Sequence, residues 1–158
     1  MKKQDVLWLL IILGISSIFV IPTTRIFYEE MNQQYPYLLG FLKTSILALM
    51  GELLVSRIQN KQYFYGSGHI LKWFVWGLLG MVFVLIFKVY AAGVVSAQEM
   101  NLLPSIIETG FLKSLLTAFL ISLIMNLTFA PTFMILHRIT DAYIQESKGQ
   151  LNQLVKVK

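Results

Sequence analysis

The chain has 158 residues and a mass of 18.1 kDa, enough for one domain and short for two. It is 56% hydrophobic and only 13% charged, with a mean hydropathy of +0.67. A soluble domain carries roughly a quarter charged residues, so a disordered chain is excluded, an ordinary water-soluble domain is disfavoured, and an integral membrane protein remains. The formal charge is +5, and the complete lack of Cys excludes disulfides, thiolate metal sites and cysteine nucleophiles.

Four apolar runs are long enough to cross a bilayer, which takes about 20 helical residues at 1.5 Å each. The first is predicted over 6–24, with Pro22 near its outer end, and the second over 37–56. The third covers 73–95 and the fourth 111–137, the last long enough to need tilt or a bend that Pro131 would supply. Lys2 and Lys3 ahead of the first run also fit a signal peptide. Phe19, Val20, Ile21 and Pro22 offer no small-residue cleavage site, so a retained span is the preferred reading.

The basic residues give the chain a direction. With the N-terminus inside, the inner segments carry Lys2, Lys3, Arg57, Lys61, Lys72, Arg138, Lys148, Lys156 and Lys158, whereas the outer loops carry only Arg25. The outer loops hold Glu29, Glu30, Glu99 and Glu108. This asymmetry matches the positive-inside rule and explains the high net charge by topology, with the lipid bilayer as partner and no nucleic acid. Tyr28, Tyr35 and Tyr37 mark the outer interface, and Tyr63, Phe64, Tyr65, Trp73 and Trp76 the inner one. The expected fold is an all-α, polytopic membrane helical bundle with four transmembrane helices and both ends cytoplasmic. Residues 1–138 form the four-span domain and 139–158 a polar cytoplasmic tail. Ile144, Leu151 and Val155 fall near one helical face of that tail, which either lies on the membrane surface or frays.

Polar groups within apolar spans carry the most information, because hydrocarbon offers them no hydrogen bonds. Gly40, Thr44, Ala48 and Glu52 form an i+4 stripe in the second span, and Ser114, Ala118, Ser122, Asn126 and Ala130 form another in the fourth. Gly77 and Gly80 add small residues to the third. Such stripes serve either as close-packed helix seams or as the polar lining of a lumen. Glu52 can reach the inner interface, pair with a basic neighbour or face a wet cavity. Lys88 is the deepest charge, and Lys43 and Lys113 lie nearer the outer ends of their spans. The three lysines either snorkel and pair with Glu29, Glu30, Glu99 or Glu108, or build a basic outer vestibule for anions.

Signals for chemistry are poor. His69 and His137 lie on flanks without acidic partners at metal-ligand spacing, and no phosphate loop, nucleophile elbow or zinc-protease motif occurs. No catalytic, cofactor-binding or metal site is expected, and the chain does not read as an enzyme. Asn126-Leu127-Thr128 fits a glycosylation sequon, but inside an apolar span no transferase can reach it.

Several of these positions occur in a familiar order. Tyr35-Pro36 precedes Lys43-Thr44 and Gly51-Glu52, followed by Lys72, Gly77, Gly80 and Lys88-Val89-Tyr90, then Lys113, Met125-Asn126 and Phe129-Ala130-Pro131. From Tyr35 to Pro131 the chain resembles the small four-span family of the mitochondrial inner-membrane Mpv-seventeen protein and the twenty-two-kilodalton peroxisomal membrane protein. Ser56 stands where that family has Gln and Met125 where it has Asp, and the Gly-Pro of its third helix is missing. Its C-terminal signature of Trp, Pro, Asn-Phe and Val-Pro is also absent, so the resemblance covers Tyr35 to Pro131 alone. The resemblance implies a membrane protein discussed as a pore or small-solute channel of organelles or bacterial envelopes. The first expectation for function is therefore a pore or small-solute channel component, homo-oligomeric if it conducts, in a bacterial cytoplasmic membrane. Glu52 and Asn126, with Thr44 and Ser122, would line its lumen or helix contacts, and Lys43, Lys88 and Lys113 would set its outer field. The alternative is a non-conducting structural or assembly protein.

Overall fold

The computed structural model describes residues 3–65, 67–106 and 110–150. Among them every regular element is helical: α1 (Lys3–Val20), α2 (Pro22–Gln34), α3 (Pro36–Asn60), α4 (His69–Glu99) and α5 (Phe111–Glu146). Four of these, α1, α3, α4 and α5, are long and apolar enough to cross a membrane. Their outward faces are covered in large apolar side chains, with Leu10 60%, Val20 79% and Leu127 69% exposed, and α1 buries no residue at all. An apolar surface of this extent is stable only where hydrocarbon replaces water. The chain is a multi-pass membrane protein.

The helix boundaries correct the predicted spans. The first apolar run does not continue to residue 24. It stops at Val20, and Pro22 opens α2 as its first residue, with Ile21 extended between them (φ −78°, ψ 122°). Pro22 has no N–H for the Ile18 carbonyl four residues back. The Thr24 hydroxyl donates to that carbonyl at 3.0 Å and to Ile21 O at 3.0 Å, so the break leaves no orphaned acceptor there. The segment holding Arg25, Glu29 and Glu30, expected as a loop, is thus an amphipathic helix, with an Arg25–Glu29 pair one turn apart at 3.5 Å. Pro36 opens α3 in the same way.

The other spans are longer than predicted. Helix α3 continues past residue 56 to Asn60, where Lys61 turns left-handed (φ 60°). Helix α4 starts four residues before Trp73 and ends at Glu99, and α5 runs through Pro131 to Glu146. The start of the expected tail is therefore helix, with Ile144 buried and Ser147 Oγ bonded to its carbonyl at 3.1 Å. Leu151 and Val155, Lys2, Lys156 and Lys158, and Glu108 lie outside the described residues.

The chain divides into two units, Met1–Met81 and Val82–Lys158. In the first, ion pairs gather the start of α1, the end of α3 and the start of α4 at one end. Asp5 holds Arg57, and Glu52 holds Lys72. In the second, Phe83 of α4 meets Phe129 and Phe133 of α5 edge-on, at ring separations of 6.0 and 4.9 Å. Tyr90 and Thr128 share a hydroxyl hydrogen bond of 2.6 Å.

Candidate functional site: the polar groups of the spans

The α3 stripe makes a close backbone contact in the first unit. Gly40 is buried, and Thr44, Ala48 and Glu52 are partly covered along the same face. A side chain on Gly80 of α4 would run into the Gly40 carbonyl and lie 2.6 Å from Thr44 Cβ and Oγ1. One on Gly77 would run into the Phe41 ring, which packs edge-on against Trp73 at 5.2 Å. Small residues let the two backbones meet, and Thr44 occupies the space between them. Here Thr44 is a packing residue against Gly80, with no lumen between α3 and α4 at this level.

Glu52 is neutralised. Its Oε2 lies 3.1 Å from Lys72 Nζ, with the Glu52 side chain 24% and that of Lys72 14% exposed. Of the three fates open to Glu52 in the sequence, the structure realises pairing with a basic neighbour. Nearby, Asp5 receives two bonds from Arg57, Nε to Oδ1 at 2.6 Å and Nη2 to Oδ2 at 3.0 Å, and a third from the Tyr63 hydroxyl at 3.1 Å. Arg57 also donates Nη1 to Lys61 O at 2.9 Å and stacks over the Tyr63 ring. Ser56 Oγ caps Gln62 O at 2.8 Å, and Trp8 Nε1 reaches Met50 O at 3.1 Å. Burial, then the bond to Asp5, raises the Tyr63 phenol above its ordinary pKa of 10.0. The Asp5–Arg57–Tyr63 cluster escaped sequence reasoning. Its one signal was an acid at the very start of an apolar run, one residue before Val6.

The polar groups of α5 behave otherwise. Ser114, Ala118, Ser122 and Asn126 are exposed and Ala130 is partly covered, so over its first four positions this stripe seals no seam among the described residues of its unit. Asn126 spends its amide hydrogens on its own helix, Nδ2 donating to Ser122 O at 2.8 Å and to Ser122 Oγ at 3.3 Å. Among the described residues of the second unit the buried polar side chains are instead Ser147 and, unremarked in the sequence, Gln98. Gln98 donates to Pro104 O at 2.8 Å and accepts from Thr117 Oγ1 at 3.0 Å, tying the end of α4 to the start of α5. Lys43, Lys88 and Lys113 are exposed, and among the described residues none has an ion-pair partner. Pro131 lies inside α5, exposed. His137 does have an acidic neighbour, Asp141 one turn on at 3.4 Å, and stacks on Phe133. No trio of His, Asp or Glu is grouped to hold a metal ion among the described residues.

The structure therefore brings Thr44 and Glu52 onto one seam with Gly80 and Lys72, and Ser122 and Asn126 onto one outward face of α5. No protein-family model, no curated protein and no solved structure matches the chain.

Proposed function

We propose that the chain is a non-conducting structural or assembly protein of a bacterial cytoplasmic membrane, with both ends in the cytoplasm and no catalytic role. The Gly40–Gly80 contact carries this reading. It closes the space between α3 and α4, and the residues that would line a passage there are spent on packing (Thr44) or on charge neutralisation (Glu52 with Lys72). The order of motifs shared with the Mpv-seventeen family supports a small polytopic membrane protein, within which the seam is the structural core.

A second reading, a pore enclosed by several copies, draws on Lys43, Lys88 and Lys113, which stand exposed without ion-pair partners among the described residues. A charged side chain in hydrocarbon is costly, about 2.5–3.5 kcal/mol at mid-span, and a wet lumen relieves that cost. Solute and ion flux through vesicles reconstituted with the purified full chain separates the two. The assembly reading expects leakage equal to that of empty vesicles. A conductance whose anion preference falls with Lys88→Gln overturns it in favour of the pore.

A further inference from the structure

We propose that the groove between the start of α1, the end of α3 and the 61–64 turn is a fixed binding site for one anionic phospholipid, its acyl chain against Trp8 and Leu53 and its phosphate facing Lys3 and Lys61. The groove has a volume of about 440 Å³ and is partly open. This lies within the roughly 300–1,000 Å³ of small-ligand sites, which are mostly apolar with a few polar groups to orient the ligand. Its floor is Trp8, Met50 and Leu53, its outer walls Leu7 and Phe64, and its polar rim the amides of Gln4 and Gln62.

The walls are fixed, so the space is a built site and not slack between helices. Trp8 is pinned by its bond to Met50 O, and α1 is held to α3 by Asp5 and Arg57. The turn carrying Gln62, Tyr63 and Phe64 is fastened by Ser56, Arg57 and the Tyr63 hydroxyl. Leu7 is 59% and Phe64 72% exposed, so the open side of the groove is edged by apolar side chains.

Charge selects the head group. Arg57 is cancelled by Asp5 and Lys72 by Glu52, leaving among the described residues of this end the exposed Lys3 and Lys61, each next in the chain to a rim amide, as uncancelled charges. An apolar groove with two amides at its rim, each followed or preceded in the chain by an uncancelled lysine, fits a phospholipid with net negative charge better than a zwitterionic one. Each lysine at a membrane surface contributes roughly fivefold in affinity for anionic lipid.

The reporter is built in, because Trp8 forms the floor. The full chain carrying Trp73→Phe and Trp76→Phe, leaving Trp8 as sole indole, is reconstituted in phosphatidylcholine vesicles. A minor fraction of the lipid is replaced by brominated phosphatidylglycerol or, in the parallel arm, by the same fraction of brominated phosphatidylcholine. Trp8 quenching several-fold stronger with the anionic probe, and equalised between probes by Lys3→Gln plus Lys61→Gln, is the expected result. Equal quenching by both probes in the unaltered background means ordinary contact with surrounding lipid and overturns the proposal. If the Phe background fails to fold, lipid retained through detergent purification decides. The unmodified chain is expected to keep phosphatidylglycerol and the double-Gln chain to lose it, and equal retention by both overturns the site.

Discussion

Asp5 shows how a single charge is made tolerable at the edge of hydrocarbon. An unpaired carboxylate there would demand solvation that apolar side chains cannot give. Arg57 and Tyr63 supply three donors to it, two of them from the planar fork that matches a carboxylate. Asp5→Ala strips the partner from a guanidinium held among protein groups. The unfolding temperature in detergent should fall by several degrees, and Asp5→Asn combined with Arg57→Gln should cost less than the two single losses added together. Alkali acts on the same cluster. The folded state holds the Tyr63 proton more tightly than the unfolded chain, so that stabilisation is complete below pH 10 and lost as pH rises through the higher folded value. A Tyr63→Phe variant should show a shallower decline of stability above pH 10 than the parent, measured by thermal unfolding across that range.

At the scale of elements, the seam between α3 and α4 depends on two missing side chains. Gly80→Ala places a methyl against the Gly40 carbonyl and Thr44, an overpacking cost of about 1–3 kcal/mol, set against a gain of roughly 1 kcal/mol in helix propensity. Gly80→Leu admits no such offset, and we expect it to lower yield and unfolding temperature sharply, whereas Gly14→Leu, with open space around it, should leave both nearly unchanged. The i+4 spacing of Gly40, Thr44 and Glu52 made this seam legible in the sequence, because one helix face is a local property. Identical spacing in Ser114, Ser122 and Asn126 was equally legible as a face and silent about its neighbour, and that face is exposed. Pairing of Asp5 with Arg57 brings chain together across α2, and that of Glu52 with Lys72 across the α3–α4 connection, information that hydropathy does not carry. Helix ends were missed for a related reason. Hydropathy marks the slab, but Pro22 stops α1 inside the apolar run, and α5 keeps its backbone bonds well past the last apolar stretch.

For the whole molecule, the dominant fact is the solvent. Apolar side chains on the outside and few on the inside are the arrangement of a protein whose surroundings are oil. The expressed chain should sediment with membranes at high speed, resist alkaline carbonate and enter solution only with detergent, and recovery in the carbonate supernatant would contradict the four-span reading. The Asn126–Ser122 bonds bear on how such a protein is made. A helix that satisfies its amide hydrogens within its own turn carries no unmet donor at that point when it slips sideways from the insertion machinery. At Asn126, therefore, α5 needs no neighbouring helix to accept its amide hydrogens on entering the bilayer.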